Sequence, residues 1–375
     1  MKPIFKLPLV YLVLLLCTFL GTRSLSAAKA GYTLSKKINM AFRANPNIDV
    51  HIVNKYGKVQ FVSWDKDSVR MVVEMTALGK DEDVAEDILK SVDVDYTYAS
   101  NYLTAVSIYD KSEGVVMEFF NKMLDQAKAI INKQTLQVDY ILYVPQQAQI
   151  DVENKYGDVI LDDHKARTSI ELSHGNLRAG NLSGDANIRV EFGKSYMTNM
   201  KNGRFVLRFG DLDVQQAEDI SLESISSEIR IDKVNRLVLS SKSDKIDVQE
   251  AKILDGKTVF TKLSIGSLSQ SSKCITTGGN FTVRKINQSF QTLDLTAQST
   301  DIRIDVDDAS AYKIDVNGKE QNMVLPLISG MQKSYLDPKN KNVMIQGFMG
   351  SGNQTSKETN KILRVNSQGG SVIIR

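Results

Sequence analysis

From Gly157 onward the sequence returns to a small turn residue every 17 or 18 positions: Gly157, Gly175, Gly193, Gly210, Ser227 and Asp244, with less regular members at Gly266 and Thr300. Two places after this position stand Val159, Leu177, Ser195, Leu212, Ile229, Ile246, Leu268 and Ile302, and five places before it stand Val152, Ile170, Ile188, Phe205, Leu222, Leu239, Thr261 and Leu295. Between these mostly apolar columns the residues are polar: Asp158, Asn176, Lys194, Asp211, Glu228 and Lys245, then Arg178, Tyr196, Asp213, Arg230 and Asp247. Alternation at a period of two means short strands with one buried face. One such unit cannot cover its own apolar face, whereas units stacked at the strand spacing of about 4.8 Å cover every face but the ends. The expected fold is therefore all-β, a β-solenoid or β-helix-like stack of short strands with a 17–18 residue repeat.

A longer echo precedes it. Asn-Lys-Tyr-Gly occurs at 54–57 and again at 154–157, each copy flanked by the same alternation: Val50, Ile52, Val59 and Phe61 at the first, Ile150, Val152, Val159 and Leu161 at the second. The glycines suit turns that need positive φ, a conformation Asn and Asp also tolerate; that reason covers Asp244 but not Ser227 or Thr300. The outward column Asp213, Arg230, Asp247 alternates in sign, which favours one register between neighbouring strands by roughly 0.2–1 kcal/mol per pair.

Residues 66–148 interrupt the repeat. Strands are expected over 69–75, 102–109 and 135–144, and inserted helices over 81–92, with an acidic start, and over 115–131. The second carries an apolar stripe of Val116, Phe119, Phe120, Met123, Leu124, Ala127, Ile130 and Ile131, and it reads as a cap on the stack or as a partner contact. Beyond Thr300 the pattern weakens: Asn317-Gly318 marks a turn, 347–357 a Gly/Ser-rich loop, and Val365 and 372–374 resume strand character.

Residues 1–30 combine Lys2 and Lys6 with an apolar run from Leu7 to Leu20 and end in Ala28-Lys29-Ala30, the form of a secretory signal peptide. Four of the 47 basic residues and none of the 44 acidic ones lie there, leaving 43 against 44 from residue 31 on. That balance lacks the basic excess a nucleic-acid binder needs. Cys17 leaves with the leader and Cys274 stands alone, so packing rather than a disulfide must hold the fold. The expected divisions are a leader at 1–30, a β region with inserted helices at 31–148, the repeats at 149–310 and a C-terminal β end or cap at 311–375.

Chemistry-bearing residues are sparse. His51, His164 and His174 share no metal-ligand spacing with one another or with a Cys, and His174 occupies a repeat position equivalent to Tyr156, Phe192 and Phe209. Two acidic clusters, Asp162-Asp163 and Asp305, Asp307 and Asp308, lie beside turns where acids serve solvation and local hydrogen bonding. Paired acids across a groove would instead be the apparatus of a polysaccharide enzyme. No catalytic residue, metal site or cofactor is assigned from the sequence, and no binding residue can be named.

The run Leu136-Gln-Val-Asp-Tyr-Ile-Leu-Tyr-Val-Pro145 followed by Ile150-Asp-Val-Glu-Asn-Lys-Tyr-Gly-Asp-Val159, with Asn54-Lys-Tyr-Gly57 and Trp64-Asp-Lys-Asp67 ahead of it, resembles the family of exported Gram-negative envelope proteins called putative adhesins. The resemblance spans roughly residues 45–305. It implies a β-solenoid-like fold and export to the periplasm or outer surface, with no catalytic residues to carry over. The expected function is then a non-enzymatic, adhesin-like strand face for envelope proteins or glycans. A polysaccharide-processing enzyme and an envelope signalling scaffold, with 115–131 as its partner contact, are the alternatives. Oligomeric state is left open.

Overall fold

The computed structural model describes residues 31–109, 135–306, 311–337, 339, 341–349 and 359–375. The leader at 1–30, the helix expected at 115–131, and Asp307 and Asp308 lie outside the described residues. What is described is all-β apart from one α-helix and one 3₁₀ turn, and its strands join into a single 23-stranded sheet that does not close.

The short period is written into the pairing. β11 (Leu177–Glu191), β12 (Lys194–Arg208), β13 (Asp211–Ile225), β14 (Glu228–Lys242) and β15 (Lys245–Val283) each run parallel to the next, so that Leu177 faces Ser195, Ser195 faces Leu212, Leu212 faces Ile229 and Ile229 faces Ile246. Parallel pairing at a fixed sequence offset brings like residues together, so an alternating sequence buries whole columns at once. Val159, Leu177, Leu212, Ile229 and Ile246 are all buried in one continuous core. β11 and β12 shift register once, between Leu182 and Asp185.

The two Asn-Lys-Tyr-Gly copies meet directly. β2 (Asp49–Lys55) lies parallel to β8 (Gln149–Lys155), with Val50 on Ile150 and Asn54 on Asn154, and β3 (Val59–Trp64) lies on β9 (Val159–Leu161). Asn154 Nδ2 donates to the carbonyls of Gly57 and Gly157, both at 2.9 Å, and Asn54 Nδ2 donates to that of Val138 at 3.0 Å. A pair 100 residues apart in sequence is thus locked by buried amides.

The interrupting segment extends this sheet. β6 (Tyr102–Tyr109) adds to β2 and β7 (Leu136–Pro145) adds to β3, both in parallel. Antiparallel strands finish the edges: β4 (Ser68–Gly79) on β7, β1 (Tyr32–Arg43) on β4, and β5 (Val92–Tyr98) on β6. The first expected helix is α1 (Glu82–Lys90). Asp81 caps it by accepting from the Val84 N–H, and Glu82 and Asp83 stand in its first turn, where the helix dipole favours them. At the other end β22 (Ile362–Gln368) and β23 (Val372–Ile374) lie parallel to β16 (Thr292–Gln298) and β17 (Asp301–Ile304).

Three sequence expectations need correction. Asn317-Gly318 is not a turn; both residues lie within β18 (Tyr312–Lys319), paired with β21 (Asn342–Met349). Gly266 is not a repeat turn either. The turn after Ser243-Asp244 comes at Phe260-Thr261, 17 residues on, with Leu263 and Ile265 buried behind it; the next is at Gly278-Gly279. Gly266 instead sits where an added Cβ would lie 2.4 Å from the Gln249 carbonyl oxygen.

The third correction concerns why the turns contain glycine. The residue with positive φ is the one before it: Tyr156 (57°), His174 (56°), Phe192 (56°), Phe209 (53°), Ser226 (51°), Ser243 (60°) and Phe260 (52°). Gly157, Gly175 and Gly193 are required by contact, since a Cβ on each would fall 1.9, 2.0 and 1.8 Å from the carbonyl oxygen of the glycine stacked on it. Where the column changes to Ser227, Thr261 and Thr300, each hydroxyl donates to the carbonyl two residues back.

Candidate binding face

Along the corner the positive-φ side chains form a file. Ring centroids run Tyr56–Tyr156 at 5.6 Å, Tyr156–His174 at 5.1 Å, His174–Phe192 at 4.8 Å and Phe192–Phe209 at 5.1 Å, with interplanar angles of 16° or less. Tyr156, Phe192 and Phe209 remain about half exposed, at 44, 48 and 51%. The ring faces cover one another, so the file offers edges to solvent and rigidifies the corner through ring–ring contact. His174 is a member of this file, in the repeat position its sequence spacing indicates.

Just past the corner the outward side chains build a charged face. Lys194 pairs with Asp211 at 3.3 Å, Lys245 with Glu228 at 2.7 Å, Arg230 with Asp213 at 3.8 Å and Arg284 with Asp247 at 2.9 Å. Asp158 accepts from the Asn176 backbone N–H at 2.8 Å and from its side-chain amide at 3.1 Å. Lys245 holds the Glu228 carboxyl below its ordinary range by hydrogen bond and charge. Exposed pairs of this kind contribute at most about 1 kcal/mol each, and their regularity serves register.

A groove of about 730 Å³ runs along this face from Asp158 to Asp247. A second, of about 430 Å³, is lined by Ser63, Gln146, Asp162, Asp163, Gly180 and Thr198. Ile160, Arg178 and Tyr196 line both, so the two hollows share a wall. Tyr196 is fixed by Gln215, whose Nε2 donates to the phenol oxygen at 2.5 Å.

The acids picked out in the sequence are engaged locally. Asp163 accepts from the Asn181 backbone and side chain, both at 2.8 Å, and those bonds lower its carboxyl. Asp305 pairs with Arg303 at 3.2 Å and Arg375 at 3.0 Å. The smaller groove has no carboxylate among the described residues other than the adjacent Asp162 and Asp163. His164 is buried; its Nε2 lies 2.5 Å from the Ala148 carbonyl and its Nδ1 3.3 Å from the Ser63 hydroxyl. Donation to Ala148 leaves Nδ1 to accept from Ser63, and burial lowers the pKa of the ring. Cys274 is buried in the column of Leu295 and Val365, and burial pushes its thiol up to about 12. No group of three or more His, Cys, Asp or Glu among the described residues is placed to hold a metal ion. No helix among them is long and apolar enough to cross a membrane.

Arg178 and Tyr196 stood in the outward columns of the sequence without distinction. The signal that sets the file apart is an aromatic or His immediately before each turn glycine: Tyr-Gly, His-Gly, Phe-Gly and Phe-Gly.

No family model and no curated protein matches this chain. Among solved structures, it is similar to a putative adhesin from Parabacteroides merdae (13% identity, 72% of this chain and 95% of that one, TM-score 0.36). It is also similar to a putative adhesin from Bacteroides fragilis (13%, 72% and 97%, 0.31) and to a putative lipid binding protein from Parabacteroides distasonis (12%, 72% and 96%, 0.35). Likeness at these TM-scores carries no argument about what this chain binds.

Proposed function

We propose that this chain is a non-enzymatic, exported β-solenoid of the cell envelope that holds out a strand face for glycan or protein contact, in an adhesin-like role. The solenoid reading is supported by parallel pairing at offsets of 17 and 18 over successive strands. On this reading residues 149–310 form the body of the stack, and 31–148 and 311–375 complete its ends. Export to the periplasm or outer surface follows from the leader-like residues 1–30.

The observation that carries the binding role is the pair of contiguous grooves past the corner, walled in common by Ile160, Arg178 and Tyr196. A rigid hollow with an aromatic wall and a few directed polar groups suits a ligand better than a flat, fully ion-paired surface does. The test is a glycan array probed with the purified protein, with product analysis of every glycan that binds. Retention of one glycan class, unchanged in length, is the expected result. Shortened products would assign the grooves to an enzyme, and an empty array would remove the glycan role.

A further inference from the structure

Building on that reading, we infer that Arg178 and Tyr196 form a subsite for an acidic sugar, a pyranose carrying one carboxylate on an otherwise neutral glycan. The larger groove is lined by four cationic side chains, and three of them have carboxylate partners: Lys194 with Asp211, Arg230 with Asp213 and Lys245 with Glu228. Arg178 is the fourth, and no carboxylate among the described residues pairs with it. The register explains why. Its neighbours in the outward column are Ile160 on β9 and Tyr196 on β12, so the alternation of sign that satisfies Arg230 is broken here by an apolar and an aromatic residue.

Arg178 is exposed and stands where the two hollows join. A guanidinium presents its donors in a planar fork that matches a carboxylate through two parallel hydrogen bonds. Tyr196, one strand away, is 38% exposed and is held by Gln215, so its ring is ordered before a ligand arrives. An ordered aromatic beside a free guanidinium fits a sugar ring whose apolar face lies on the phenol ring while its carboxylate meets the arginine.

The charge around the subsite narrows the ligand further. The same groove carries five carboxylates: Asp158, Asp211, Asp213, Glu228 and Asp247. A polyanion lying along it would also meet Asp211 and Asp213 on β13, Glu228 on β14 and Asp247 on β15. A glycan with a single acidic unit places its charge at Arg178 and sets neutral rings over the remainder.

Titration calorimetry on the full protein tests this with a xylo-oligosaccharide bearing one glucuronate and with the same compound after reduction of its carboxyl group. The acidic form should bind at least about tenfold more tightly. Arg178→Gln should abolish that preference while leaving affinity for the reduced form unchanged, Arg178→Lys should restore part of it, and Tyr196→Ala should weaken both forms alike. Both side chains are at the surface, and thermal melts of the three variants establish that they fold. Equal affinity of the wild-type protein for both forms, or a preference that survives Arg178→Gln, overturns the subsite and leaves the glycan role standing. An acidic peptide that outcompetes both sugars would give Arg178 to a protein partner instead. Failure of the wild-type protein to bind either form, together with an empty array, would remove the underlying reading and the subsite with it.

Discussion

The same corner is built in two ways along this molecule. From Tyr156 to Phe209 it consists of a stacked ring at positive φ followed by a glycine pressed against the carbonyl of the neighbouring glycine. At Ser226 and Ser243 serines replace the rings, and Ser227 and Asp244 replace the glycines. There the corner is held from inside. Asp244 is buried and accepts from Ser224 Oγ at 2.6 Å, Ser241 Oγ at 2.5 Å, the Ser227 N–H at 2.8 Å and the Lys242 N–H at 3.1 Å, while Ser241 also bonds Thr261. One backbone path thus accepts either an outer ring stack with bare backbone contact or an inner polar network. Gly and Asp at equivalent positions are not interchangeable, because each matches what lies 17 or 18 residues away.

Five experiments would break or sharpen this contrast. Asp244→Ala should have the largest effect, about 4 kcal/mol, because buried donors lose their acceptor at about 1–3 kcal/mol each; chemical denaturation measures it, and a loss below about 1 kcal/mol would show that the network does not hold the corner. Gly175→Ala should cost about 3 kcal/mol through the 2.0 Å clash with the Gly157 carbonyl. Ser227→Ala, in the other kind of corner, should lose only its hydroxyl bond, about 1 kcal/mol. Equal losses at Gly175 and Ser227 would erase the distinction.

Phe192→Ser imports the side chain found at 226 and 243 and should remove about 1 kcal/mol of ring stacking, with no change in fold by circular dichroism. The smallest effect concerns the opposite bend, where burial lowers the pKa of His164 below its ordinary 6.5. The folded state favours the neutral ring, so His164 contributes stability above about pH 6.5 that is lost as pH falls. Melting temperatures of the wild-type protein should drop between pH 7.5 and 5.5 more than those of His164→Gln, whose amide can keep both hydrogen bonds. A parallel pH dependence in the two proteins would show that His164 titrates as it does in the unfolded chain.

Much of the architecture was legible. Alternation at a period of two assigned Val159, Leu177, Leu212, Ile229 and Ile246 to the core, and all five are buried. The acidic start of the helix at Glu82 and the place of His174 beside its turn were also readable, because each depends on near neighbours in the chain. The turn at Phe260 is masked in the sequence by Gly266, because a glycine marks any close backbone approach, not only a corner. The candidate face was less legible still. Arg178 differs from Arg230 only in what its stacked neighbours are, and those lie 18 residues off on either side.

By itself the sequence determined the class of structure: a period of two sets which face of each strand is buried, and a period of 17 or 18 sets which residues can share a column. Tertiary structure alone decided which residue of each turn takes positive φ, why glycine follows it at 157, 175 and 193, how two motifs 100 residues apart come to lie one on the other, and which cation of the larger groove has no carboxylate partner among the described residues. The reason is one of range. Side-chain alternation is a property of adjacent peptide units, whereas steric contact and ion pairing across this sheet act over about 5 Å between residues that the chain itself holds far apart.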